Sequence, residues 1–264
     1  MRKNVVRQRL LSGKPALGAF LSLGSPHVAE LMAHAGFDWL LIEAEHTALD
    51  AAQIEHMLMA IGGTGTVPIV RTLSSDPLLI QKTLDAGAMG VFVPMVRSAD
   101  EARAIVQATR YPPEGTRGFG PLRASQYTLD YEDYLASANE NILVALIIET
   151  KEAVENIEAI LNVPGVDVVY FGLFDLCIAM GLNPLKMPFP EIDEIVGRTL
   201  KLCQEKGVAI GAGALTPDGL RDLLEQGYTF LNYGPDVQIL KDKALEGIQT
   251  YRAHCADDSQ RFGV

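Results

Sequence analysis

The stretch from Phe37 to Arg71, FDWLLIEAEHTALDAAQIEHMLMAIGGTGTVPIVR, decides the fold. It opens on an apolar run (37 to 43) rich in branched residues, passes through a polar turn, and continues as an amphipathic segment (51 to 61). It closes on a second short apolar run, TVPIVR (66 to 71). Short apolar runs bounded by turn residues read as buried strands, and the 3.6-residue period between them reads as a helix, so the stretch is a strand–helix–strand unit. Working outward, the same unit recurs. Further candidate strands lie at 16 to 23, 90 to 94, 141 to 148, 166 to 172, 207 to 213 and 228 to 233. Helical segments fall at 26 to 35, 76 to 86, 98 to 108, 151 to 161, 190 to 205 and 216 to 226. Eight strands alternating with helices predict a closed parallel barrel, the (β/α)8 or TIM-barrel fold, as a single domain over 1–264.

A doubly wound sheet uses the same alternation, but its nucleotide-binding form opens on GxGxxG after the first strand. Here the first strand leads into SLGSPHVAE, and GTRGFG (115 to 120) has the wrong glycine spacing and follows RYPPE rather than a strand. Two segments extend a minimal barrel: a helical N-terminus from about 3 to 12, and a long connection from roughly 110 to 140 of the kind that forms lids or binding loops.

Composition narrows the function. With 48% hydrophobic and 21% charged residues the 264-residue chain has an ordinary globular balance. A net charge of −11 and the lack of a basic stripe disfavour nucleic acid and anionic membranes as partners. No window reaches an uninterrupted membrane span and the N-terminus has no secretory pattern, so a cytoplasmic location is expected. Cys177, Cys203 and Cys255 fit neither a disulfide framework nor a zinc spacing and read as reduced thiols. His27, His34, His56 and His254 form no HxH or HExxH pattern and read as structural.

A parallel barrel brings the carboxyl ends of its strands to one mouth, where catalytic groups sit. Strand two delivers Glu43, Glu45 and His46, strand three Arg71, strand five Glu149, and strand six leads to Asp175. Singly, Glu149 and Asp175 also suit helix N-termini, and His46 suits a hydrogen-bonded loop. Together the groups supply materials for a divalent metal site beside a general base, with Mg²⁺ favoured by oxygen ligands and Mn²⁺ or Co²⁺ able to take the same geometry.

In this order the residues resemble the HpcH/HpaI family of metal-dependent class II pyruvate aldolases. The similarity is carried by VPIVR (67 to 71), LDAGAMGVFVPMV (84 to 96), RYPPEGTRGFGPLRAS (110 to 125), IET (148 to 150) and YFGLFDL (170 to 176). It implies cleavage of 4-hydroxy-2-oxo acids to pyruvate, or a related 2-oxo acid, and an aldehyde through a metal-stabilised enolate. Glu149 and Asp175 then hold the metal, Arg71 holds the 2-oxo acid, and His46 moves the C4 hydroxyl proton. Ser125 lines the pocket, and Asp85 reaches it from a neighbouring subunit. The resemblance also implies a homohexamer, a trimer of dimers that exchange a C-terminal helix.

Three positions depart from the family pattern. Glu43 stands where an aspartate commonly orients the histidine, Ile147 replaces a glutamine, and Phe174 takes the place of a small residue, narrowing the donor pocket beside Asp175. These departures keep two alternatives open: an oxaloacetate decarboxylase like macrophomate synthase, and a non-catalytic 2-oxo acid binding protein on the same scaffold.

Overall fold

Strands inside a parallel barrel contact side chains on both faces, which is why they read as unbroken apolar runs. All five residues of β2 (Trp39–Glu43) and all six of β5 (Leu143–Ile148) are buried. The computed structural model describes residues 1–261. In chain order its elements are α1 (Val5–Leu11), β1 (Ala16–Leu21), α2 (Pro26–His34), β2, α3 (Ala51–Gly62), β3 (Val67–Arg71), α4 (Pro77–Asp85), β4 (Gly90–Val93), α5 (Ala99–Thr109), α6 (Tyr131–Asn141) and β5. There follow α7 (Lys151–Glu155), α8 (Ile157–Leu161), β6 (Val168–Phe171), α9 (Leu173–Ala179), α10 (Pro190–Lys206), β7 (Ala209–Gly213), α11 (Pro217–Gln226), β8 (Phe230–Pro235) and α12 (Asp236–Arg261). The strands pair in sequence order, all parallel, and β8 closes on β1, so the expected (β/α)8 barrel is the fold.

Strict alternation along each strand splits the core in two. Trp39, Leu41, Ile69, Phe92, Ala145, Ile147, Val168 and Phe230 fill the barrel interior. Leu40, Ile42, Val70, Val93, Leu146, Ile148 and Val169 face the surrounding helices. Trp39 stacks on Phe230 with ring centroids 4.0 Å apart, and Gly18 makes room, because a Cβ there would overlap the indole. At the amino end α1 closes the barrel, inserting Val6 and Leu10 into the inner core. Buried Asn4 caps that helix and donates to Met89 O and Asn141 O. With its foot closed, the barrel opens at the carboxyl ends of the strands.

Several elements differ from expectation. The helix expected over 151 to 161 breaks at Asn156, whose φ −95° and ψ 7° leave helical geometry and whose side chain donates to Arg97 O. The long connection contains α6. α9 begins at Leu173, and β8 runs two residues later than its apolar run because alternation continues through Asn232 and Gly234. Among the described residues no helix is long and apolar enough to cross a membrane.

Candidate active site

The mouth is built from neighbouring strand ends. In the β2–β3 register Glu43 lies directly beside Arg71, and both point inward by the same alternation that buries Leu41 and Ile69. The Arg71 side chain is 11% exposed, so its guanidinium is withdrawn from solvent and needs partners. It finds three carboxylates: Glu43 Oε2 at 3.2 Å from Nη1, Glu45 Oε2 against Nη2, and Glu149 Oε2 at 3.8 Å from Nη2. Its Nε is buried without a hydrogen-bond partner.

Glu149 follows β5 and is 2% exposed. It is not a helix cap, since Thr150 caps α7. Its Oε1 accepts from the Met95 amide at 2.6 Å, and Met95 turns that amide inward by adopting a left-handed φ of 58°, an uncommon conformation for a side-chain-bearing residue. Gly172 leaves the space that Glu149 occupies, because a Cβ at 172 would sit 2.5 Å from Oε2. Asp175 lies exposed in the first turn of α9, close enough to act on Glu149 electrostatically.

His46 is held differently from expectation. Glu43 does not touch the imidazole: its Oε1 accepts from the backbone amides of Glu45 and His46, and its Oε2 faces Arg71. Its extra methylene lets the carboxylate fold back over the turn, so Glu43 fixes the backbone that carries His46. The ring is met by Glu45, whose Oε2 lies 3.4 Å from Nε2. Glu45 is the residue whose role sequence reasoning missed. Side chains in a turn obey no period, so its reach to both Arg71 and His46 had no signal in the pattern.

Other expected residues sit further out. Ser125 does not line the mouth: it is fully buried, and its hydroxyl donates to Pro121 O at 2.5 Å and accepts from the Thr128 amide, bracing its own loop. Phe174, expected to narrow the donor pocket, is 59% exposed at the start of α9 and packs against none of the aromatic rings of the barrel. Ile147, without a polar group, packs in the interior beneath Glu149. Asp85 ends α4, accepts from buried Arg117 at 2.6 Å, and borders a cavity of about 370 Å³ that reaches Arg71, Lys82 and Arg123.

Four carboxylates thus face one guanidinium and one imidazole. Burial raises the pKa of both Glu45 and Glu149 above the usual carboxylate range; Arg71 opposes the shift, the Met95 amide also opposes it at Glu149, and the neighbouring acids add to it. Such a site lacks positive charge. The described residues contain no cluster of three or more His, Cys, Asp or Glu arranged for a metal. Two carboxylates, Glu149 and Asp175, with remaining positions left to water and substrate, are nevertheless the kind of donor set a hard divalent cation accepts. The orphaned charge and the cradle at Gly172 fit such an ion.

A barrel with a charged, water-accessible mouth defines a TIM-barrel enzyme, and comparison with known proteins gives its class. Residues 16–242 match the family model described as HpcH/HpaI aldolase/citrate lyase. The chain is 40% identical over 233 residues to a 2-dehydro-3,6-dideoxy-6-sulfogluconate aldolase from Pseudomonas putida, covering 87% of this chain and 90% of that protein. It is also 40% identical over 242 residues to a 4-hydroxy-2-oxo-heptane-1,7-dioate aldolase from Shigella sonnei, covering 90% and 91%. A crystal structure of a family protein from Burkholderia cenocepacia superposes with a TM-score of 0.89 at 33% identity, covering 95% of this chain and 100% of that one. The chain belongs to the HpcH/HpaI aldolase/citrate lyase family and is an enzyme of the lyase class.

Proposed function

We propose that the chain is a metal-dependent carbon–carbon lyase that cleaves 4-hydroxy-2-oxo acids to a 2-oxo acid, pyruvate or a close relative, and an aldehyde, and runs the reverse condensation. The observation that carries this reading is Arg71 surrounded by Glu43, Glu45 and Glu149 at the foot of a mouth whose exposed rim holds His46. Glu149 and Asp175 would hold the cation, with Mg²⁺ the best match to an all-oxygen site and Mn²⁺ or Co²⁺ able to substitute. When bound, that cation supplies Lewis acidity at the oxygens of the 2-oxo acid.

The chain's own groups do the rest. The unpartnered Nε of Arg71 offers a donor to the 2-oxo acid and stabilises negative charge as it develops there. Glu45 Oε2, 3.4 Å from His46 Nε2, steadies the ring on that side, and His46 accepts the C4 hydroxyl proton. As that proton leaves, the C4–O bond becomes a carbonyl, the C3–C4 pair passes to the 2-oxo acid fragment, and a proton delivered to C3 completes the product. Glu43 keeps the 45–46 turn rigid, which holds the base in register.

The proposal extends to the assembly and location. A homohexamer built as a trimer of dimers, with α12 exchanged between copies and Asp85 serving a neighbour's mouth, is supported by the apolar side chains that α12 leaves exposed, including Val237, Leu240, Leu245 and Ile248. The working location is the cytoplasm, and 1–264 acts as one domain.

The test is pyruvate release from a panel of 4-hydroxy-2-oxo acids, with and without Mg²⁺ and EDTA, in the wild type and Glu149→Gln. Release that needs the metal and falls at least about 100-fold in the variant supports the lyase. Decarboxylation of oxaloacetate without aldol cleavage would replace it with the macrophomate-synthase-like reading. Tight 2-oxo acid binding without turnover would leave a binding protein.

A further inference from the structure

The charged groups of the mouth come from β2, β3, β5 and the end of β6, which leaves the sector of β7, β8 and β1 without a charged group free to act. Segments 20 to 24, 211 to 216 and 232 to 237 contain no lysine or arginine. The acid of that sector, Asp236, is spent on the amides of Ser22, Leu23 and Val237. What this sector presents is a neutral polar pair over an aromatic floor. Phe20, Phe92 and Tyr170 form the floor, with centroids 5.3 to 6.0 Å apart, and Phe20 and Tyr170 keep part of their surface exposed.

Tyr170 on β6 and Asn232 on β8 meet across β7, where Gly211 and Gly213 present no side chains. A Cβ at 211 would collide with the Tyr170 ring, and one at 213 would stand 3.2 Å from Tyr170 Oη and 3.3 Å from Asn232 Nδ2. The Tyr170 hydroxyl and the Asn232 amide thus flank the same point above Gly213. Asn232 is 6% exposed, yet its Oδ1 has no hydrogen-bond partner. A buried acceptor left unpaired is costly, and a ligand that donates to it recovers that cost on binding.

We infer that Tyr170, Asn232 and the gap over Gly213 form a hydroxyl-binding subsite that selects hydroxylated aldehydes. This deepens the proposed lyase reading and rests on it. With Arg71 withdrawn at the end of β3 and the carboxylates at or just past the ends of β2, β5 and β6, the 2-oxo acid half occupies the charged side, and His46, three residues past β2, stands at the boundary. The aldehyde half is left the neutral sector. A hydroxyl both donates and accepts, so it answers the orphaned Asn232 Oδ1 and the Tyr170 hydroxyl together. An alkyl tail would leave both unpaired, and a second carboxylate would find no cation there in this chain.

The experiment is condensation of pyruvate with glycolaldehyde or with propanal, which carries a methyl in place of the hydroxyl, by the metal-loaded wild type, Tyr170→Phe and Asn232→Leu. The wild type is expected to favour glycolaldehyde by about tenfold in kcat/KM. Each variant keeps the packed shape and is expected to narrow that preference about three- to tenfold, chiefly through the aldehyde KM. Equal use of both aldehydes by the wild type, or a preference unmoved in both variants, overturns the subsite and leaves the lyase standing. Failure of the wild type to condense either aldehyde or to cleave any 4-hydroxy-2-oxo acid overturns both.

Discussion

Gly172→Ala is the most incisive single change. The backbone at 172 has φ −78° and ψ 76°, an inverse-γ geometry with negative φ that alanine can adopt, so the main effect comes from the added methyl. That methyl would sit 2.5 Å from Glu149 Oε2, 2.9 Å from its Cβ and 3.2 Å from Ile147 Cγ2, so the carboxylate stands about 0.9 Å inside an ordinary 3.4 Å contact. Glu149 cannot swing away cheaply, since its other oxygen is tied to the Met95 amide and the residue is 2% exposed. Overpacking of this kind costs about 1–3 kcal/mol of stability. A displacement near 1 Å at a catalytic group costs about 100-fold in rate. We therefore expect kcat/KM for aldol cleavage to fall about 100-fold and Mg²⁺ affinity to fall with it, while the fold by circular dichroism is unchanged and the urea midpoint drops modestly. Steady-state kinetics and metal titration by calorimetry measure this. Activity within threefold of wild type, with unchanged metal affinity, would refute the assignment of Glu149 and of the cradle that places it.

Three further outcomes are expected. Glu43→Asp can still accept from the 45–46 amides, as aspartates do in tight turns, while losing reach to Arg71, so activity should stay within about tenfold of wild type. Glu43→Ala loses the charge-assisted bonds to the Glu45 and His46 amides and to Arg71, and should destabilise by about 3 kcal/mol in urea unfolding; a loss below about 0.5 kcal/mol would contradict the turn-holding role. Burial pushes the Cys203 thiol up to about 12 and raises Cys177 as well. The thiolate is disfavoured in the fold, so the buried thiols react slowly at pH 8. A chromogenic disulfide reagent at pH 8 should find at most one reactive thiol, exposed Cys255, in the native protein and three after denaturation; fast reaction of two native thiols would contradict this.

The barrel was legible because eight buried strands impose eight apolar runs, and the runs at 37 to 43, 66 to 71 and 90 to 94 contain β2, β3 and β4 with at most two residues to spare. The strand ends were legible for the same reason: a residue that follows a buried run by one place has its direction fixed by alternation, as with Arg71 and Glu149. What lay beyond the strands was not. Glu45 and Ser125 sit in turns where only tertiary contacts choose a side chain's direction, one reaching Arg71 and His46, the other folding into its own loop. Tyr170 and Asn232 did carry a signal that was overlooked. Both fall on inward positions near the carboxyl ends of their strands, where a polar residue in an apolar run points into the mouth. α6 was missed because its eleven residues are only weakly amphipathic, and α9 because it is a seven-residue helix separated from β6 by Gly172 alone.

Under the proposed function this mouth, loaded with a divalent cation, stabilises the electron pair left at C3 of a 2-oxo acid as an enolate. The most direct measurement is exchange of the methyl protons of pyruvate with D₂O, followed by proton NMR, because it isolates that step from any aldehyde. The wild type is expected to show Mg²⁺-dependent exchange that falls at least about 100-fold in Glu149→Gln and in Arg71→Ala. Exchange by the metal-loaded wild type no faster than Mg²⁺ alone, or equal exchange in both variants, would contradict it.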